Sequence, residues 1–79
     1  MNTYIDNGLR QCLIDLFTAV SEHKITRPEN EFITDLCGEY SNDVIDYLRD
    51  NRIGYYIKGQ INAWSISIYE AKKALKELT

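Results

Sequence analysis

Between Ser41 and Glu70 the hydrophobic period changes from that of a helix to that of a strand and back again. No other feature constrains the chain as tightly. Val44, Ile45 and Leu48 recur at helical spacing. Past Gly54 the period shortens to two, so that Trp64, Ile66 and Ile68 fall on one side of an extended chain and Ala63, Ser65 and Ser67 on the other. Ser67-Ile68-Tyr69-Glu70 then has capping-box spacing, in which a serine oxygen and a glutamate three residues on satisfy each other's backbone amides. The stretch therefore predicts a short helix, two short strands around a Lys58-Gly59-Gln60 turn, and a final helix. Ser41 or Asn42 supplies an N-cap oxygen, and Asp43 adds negative charge where the first-turn amides attract it. Asn51 suits a left-handed closing position.

Upstream, Asp6 is placed to cap a helix over about residues 8–24. Leu9, Cys12, Leu13, Leu16, Phe17 and Val20 form its continuous apolar stripe. His23 and Lys24 fall in its last turn, where cations complement the helix dipole. Pro28 interrupts the pattern, and Thr26-Arg27-Pro28-Glu29 has the T-x-x-E shape of a second helix start. That helix would turn Phe32, Ile33, Leu36 and Cys37 inward and end at Gly38. The last helix, over about 68–78, would bury Ile68, Ala71, Leu75 and Leu78 and expose Lys72, Lys73, Lys76 and Glu77. Two short helices joined by a glycine-containing turn, followed by a hairpin and a helix, make an α+β fold with the layout of a winged helix-turn-helix. At 79 residues it forms one domain, residues 1–79.

Hydrophobic residues at 44% and charged residues at 27% exclude a disordered chain. No apolar run approaches the ~20 residues that span a bilayer, and no basic segment precedes an apolar one at the start. The expectation is a soluble, cytoplasmic protein with no membrane contact. Cys12 and Cys37 read as small hydrophobes in helices; a disulfide is open by count alone. His23 has no patterned nucleophile or orienting partner, and the two cysteines and the histidine lack the paired spacing of zinc ligands. Gly54 and Gly59 are explained by turns, so no phosphate-cradling loop is present. These patterns predict neither an enzyme nor a cofactor. Six tyrosines, two phenylalanines and one tryptophan are a surplus of aromatics. Of Tyr55 and Tyr56, a regular hairpin turns one away from the core, while Tyr40, Tyr47 and Tyr69 are expected half-buried with their hydroxyls in water.

The net charge of −3 is unevenly spread. Residues 1–50 carry ten carboxylates against four cations, whereas residues 51–79 carry five cations against two carboxylates. A protein that neutralises many phosphates is normally basic overall, and this one is not.

The segments Leu36-Cys37-Gly38-Glu39-Tyr40-Ser41-Asn42-Asp43-Val44, Leu48-Arg49-Asp50-Asn51, Trp64-Ser65-Ile66 and Ser67-x-x-Glu70 together resemble the small excisionase and MerR-type winged helices. The resemblance covers about residues 29–78 and rests on short local patterns. It implies a third helix that enters the major groove, with Asn42, Asp46 and Arg49 toward the bases, and a wing that meets DNA through Lys58 and Gln60. The chain departs from that pattern in its third helix, where Asp43, Asp46 and Asp50 outnumber Arg49. Its first helix is also longer than the family's minimal module. Two partner classes follow. A small DNA-binding regulator would act on double-stranded DNA through Asn42, Arg49, Arg52, Lys58 and Gln60, with the Lys72-Lys73-Lys76 row on the same side. A protein-binding module would instead meet a basic protein through Glu31, Asp35, Glu39, Asp43, Asp46 and Asp50. A phage or mobile-element inhibitor, an antitoxin, an immunity-type protein or a partial DNA mimic fits the second description. Leu75 and Leu78 are available either to a homodimer contact or to the core.

Overall fold

The Asp6 carboxylate accepts a 2.7 Å hydrogen bond from the Leu9 amide and starts helix α1, Asn7–His23. A computed structural model describes residues 5–57 and 63–79. Within them follow α2 (Asn30–Cys37), a one-turn 3-10 segment (Gly38–Tyr40), α3 (Ser41–Asp50), strands β1 (Tyr55–Ile57) and β2 (Ala63–Ser65), and α4 (Ile68–Leu78). This is the expected winged-helix-like α+β order. The expected turn at Lys58, Gly59 and Gln60 lies outside the described residues.

α1 buries Leu9, Leu13, Leu16, Phe17, Ala19 and Val20 and makes its broadest contact with α4. α4 contributes Ala71, Ala74 and Leu78, with Leu75 and Ile68 only half-buried. Small alanines on α4 let it lie close against the leucines and phenylalanine of α1. Ile33 and Cys37 of α2, Val44, Tyr47 and Leu48 of α3, and Trp64 and Ile66 close the same core. Among the described residues no charged or polar side chain is buried and no buried polar side-chain atom lacks a partner.

The chain between α1 and α2 differs from its expected helix start. Thr26 caps nothing. Its carbonyl accepts from the Ile66 amide at 2.9 Å, the Pro28 carbonyl accepts from the Trp64 amide at 3.1 Å, and Glu29 bridges Ala63. The segment thus runs antiparallel along the second edge of β2, with β1 on the first. Pro28 has no amide to return to Trp64, so the pairing stays one-sided and does not become a full strand. Glu29 remains extended and offers α2 no side-chain cap.

Both ends of α3 shift by a residue from the sequence reading. Ser41 is already helical, Tyr40 holds the N-cap position, and no side chain caps it. The helix continues almost directly from the 3-10 turn, so the amides that a Ser41 or Asn42 cap would serve are partly served by that turn. At the other end Arg52, with φ of 55°, takes the left-handed place expected for Asn51. The Ile53 amide donates to the Leu48 carbonyl at 2.9 Å and the Arg52 amide to the Arg49 carbonyl at 3.2 Å, which is the Schellman arrangement. Asn51 caps through its side chain instead, its Nδ2 donating to the Tyr47 carbonyl at 2.9 Å.

The tyrosines also depart from expectation. Tyr47 is buried and Tyr69 is 76% exposed. Both Tyr55 and Tyr56 are exposed, although Tyr56 lies opposite Trp64, with ring centroids 6.0 Å apart. Tyr40 is half-buried and donates to Asp6 Oδ2 at 3.4 Å. The Asp6 charge is the main reason its phenol is held above the ordinary range.

The predicted capping box is present in full. The Ser67 oxygen accepts from the Glu70 amide at 3.0 Å, and Glu70 Oε1 accepts from the Ser67 amide at 3.1 Å. Glu70 Oε2 has a second role, accepting from the Gly54 amide at 2.8 Å and tying α4 to the chain between α3 and β1. Gly54 sits at φ of 70°, and a Cβ there would lie 2.0 Å from the Ser65 carbonyl oxygen.

Two outcomes are expected. Gly54→Ala should lose about 1–3 kcal/mol to the left-handed backbone alone, with the Ser65 clash adding to it, as read by urea unfolding. Burial pushes the Glu70 carboxyl up, but the amides of Gly54 and Ser67 and the Ser67 hydroxyl outweigh it, so its pKa is lowered in the folded state. A lowered folded pKa stabilises above the ordinary glutamate range and loses that contribution as pH falls through the folded value. The melting temperature should therefore fall between pH 7 and pH 3, and Glu70→Gln should melt lower at pH 7 with a shallower acid slope.

Candidate interaction surfaces

α3 turns Val44, Tyr47 and Leu48 inward, so its helical period leaves Asn42, Asp43, Asp46, Arg49 and Asp50 exposed. Asp43, Asp46 and Asp50 follow one another at i, i+3 and i+7 and share a face. Arg49 Nη2 is bonded to Asp46 Oδ1 one turn back, with both side chains more than half exposed. The helix's one cation is thus held by one of its own carboxylates.

α2 continues the same charge. Glu31 and Asp35 are exposed at i and i+4, and Glu39 is exposed in the 3-10 turn that leads into α3. Ile25, Arg27, Pro28, Glu29, Glu31, Phe32 and Asp35 line an open groove of about 380 Å³. Its floor is apolar, from Ile25, Pro28 and the half-buried Phe32, and three carboxylates and Arg27 stand around it. Sequence patterning did not foresee this groove, because it depends on residues 26–29 being extended. Where Glu31 and Asp35 were expected, as outward positions on α2, they are found; the apolar floor between them is new.

Arg27 is the cation of that groove, while Arg52 and the lysines of α4 lie elsewhere. Arg52 shares a groove of about 360 Å³ with Asn51, Ile53, Tyr69, Glu70, Lys73, Ala74 and Glu77. Lys72, Lys73 and Lys76 flank Tyr69 along α4. Asn42 instead lines a small notch between α2 and α3, with Asn30, Ile33, Thr34, Ser41 and Ile45. The residues expected to contact nucleic acid therefore divide: Asn42 opens onto α2, Arg49 is tied to Asp46, and Arg52 opens onto α4. Lys58 and Gln60 are outside the described residues. The exposed Tyr69 beside three lysines was missed by sequence reading. Its place after the N-cap Ser67 gave the only cue, since the first turn of a helix often faces solvent.

His23 ends α1 eleven residues beyond Cys12, roughly 16 Å along the axis at 1.5 Å per residue, which separates the one histidine from the cysteines. Among the described residues no three histidine, cysteine or carboxylate side chains gather as a metal would require. No helix among them is long and apolar enough to cross a membrane. The sequence matches no protein-family model, and the searches of curated proteins and solved structures gave no significant match.

An exposed pair such as Arg49–Asp46 contributes about 0–1 kcal/mol. Arg49→Ala should accordingly leave stability within about 1 kcal/mol of the native chain in urea unfolding at low salt, and closer still at high salt. A larger loss would show that Arg49 supports the fold.

Proposed function

We propose that this chain is a protein-binding module on a winged-helix-like scaffold, with the exposed side of α2 and α3 meeting a basic surface. The observation that carries this reading is the charge of the helix that a DNA-binding relative would insert. Asp43, Asp46 and Asp50 are exposed on it, Glu31 and Asp35 are exposed on α2 and Glu39 on the turn between the two helices, and Arg49 is engaged by Asp46. Pressed into a DNA groove, those carboxylates would approach phosphates and be repelled. Facing a lysine- or arginine-rich surface, they attract it and set its orientation. The groove floored by Ile25, Pro28 and Phe32, with Glu31 and Asp35 in its lining, gives the α2 side an apolar seat for a partner side chain, which suits an interface with a dry centre and a polar rim. An excisionase-like layout is kept in this reading while its working face has changed sign. An inhibitor, antitoxin or immunity-type protein of a phage or mobile element, acting in the cytoplasm, is the biological setting that fits.

One observation favours the DNA-binding alternative. Arg52 occupies a left-handed position where glycine is usual, and it opens onto the groove that holds Lys73 and Tyr69. A cation retained at some conformational cost beside a lysine row and an exposed aromatic ring is consistent with contact to a phosphate backbone.

Two measurements separate the readings. Labelled mixed-sequence duplex DNA should show no anisotropy change with the pure protein at about 50 mM salt, a condition that strengthens any phosphate contact. Partners captured by the native chain should be lost with Asp35→Lys/Asp46→Lys while the melting temperature holds. Micromolar DNA binding that weakens steeply with salt and disappears in Arg52→Ala/Lys73→Ala would overturn the protein-binding reading.

A further inference from the structure

Cys12 lies within α1, and Cys37 is the last residue of α2. The helices bring the two together. Cys12 Sγ lies 3.8 Å from the Cys37 carbonyl oxygen, and Cys37 Sγ lies 3.9 Å from the Cys12 carbonyl oxygen. Each thiol thus reaches across to the other's backbone, so both side chains point into one seam between the helices. A disulfide needs side chains that face each other across such a seam, with Cβ atoms about 3.5–4.5 Å apart. Both cysteines are free thiols, Cys12 half-buried and Cys37 buried.

We propose that Cys12 and Cys37 are an oxidisable pair, a site of intramolecular disulfide formation by exchange with a small disulfide such as oxidised glutathione. Cys12, the more accessible thiol, gives its proton to solvent and attacks one sulfur of the small disulfide. The old S–S bond breaks, a mixed disulfide forms on Cys12, and the leaving thiolate takes up a proton. Cys37 then loses its proton, attacks the Cys12 sulfur, and releases the second small thiol. Two protein thiols are oxidised and one small disulfide is reduced to two thiols, so no further oxidant is needed. Burial, then the adjacent Cys12 and Asp15, push the Cys37 thiol up to about 12, which makes it the second and slower participant. Once Cys12 carries the small thiol it has no charge, and its share in keeping Cys37 protonated is gone.

The bond has a structural consequence for the acidic face. Cys37 immediately precedes Gly38, whose φ of 57° and ψ of −125° turn the chain from α2 into the segment leading to α3. Oxidation would pin that corner to α1 and fix how the carboxylates of α2 and α3 are presented.

The test uses the reduced full chain, incubated with oxidised glutathione, quenched with a thiol-alkylating reagent and weighed intact. The expected product is a monomer lighter by two hydrogens, carrying no alkyl group, that yields a cross-linked Cys12–Cys37 peptide on digestion. Its melting temperature should lie roughly 10 °C or more above that of the reduced chain. Cys37→Ser should stop at one glutathione on Cys12. A native chain that keeps glutathione on Cys12 without closing, that links two molecules together, or that leaves both thiols open to alkylation would overturn the proposal. The measurement on the native chain stands even where the serine variant folds poorly.

Discussion

The buried indole of Trp64 is the contact on which the other elements depend. Its ring closes the core from the sheet side, and its Nε1 donates at 2.7 Å to the Ile53 carbonyl, directly after the Schellman turn of α3. Its backbone amide reaches in the opposite direction to Pro28, ahead of α2. One residue thereby ties together the chain leaving α3 and the chain entering α2, and β2 becomes the middle of three extended segments. Glu70 completes the arrangement by holding Gly54 two positions before Tyr56, the residue that pairs with Trp64. A large aromatic with a satisfied indole N–H is well suited to this role, because it brings apolar area and one directed bond together.

Features set by local periodicity were legible in the sequence, and those set by distant partners were not. The Asp6 cap, the α1 stripe, the Ser67–Glu70 box and the end of α2 at Gly38 each depend on residues within a turn of one another, and each is found as expected. Thr26-x-x-Glu29 misled because its spacing matches a capping box, while the hydrogen bonds that decide its conformation come from Ile66 and Trp64, far along the chain. The Asn51 position misled by one residue because asparagine was weighed only by its own tendency to adopt φ above zero. In the fold, the bonds from Arg52 and Ile53 back to α3 settle the register, and Asn51 still contributes through its side chain. Tyr47 and Tyr69 are both tyrosines on helices, and only the packing of α3 against the core distinguishes the buried one from the exposed one.

The candidate surfaces follow the same division. The acidic residues were readable as outward positions because helical period alone dictates them. The groove beneath α2 was not, since its apolar floor comes from a segment made straight by pairing with β2. The cationic residues could be counted in the sequence but not grouped: Arg49 is tied to Asp46 on α3, while Arg52 opens onto α4 beside Lys73.

That separation makes the molecule electrically lopsided, negative along α2 and α3 and positive along α4. An asymmetric charge distribution exerts a torque on a body diffusing toward a charged surface, turning it before contact. A basic partner would then meet the acidic side in far more than its random share of encounters, and the rate of association would fall as salt is added. The apolar groove would act later and over a shorter range, on how long the pair stays together. Speed of capture and persistence of the complex would be carried by different residues, so each could change in evolution without disturbing the other.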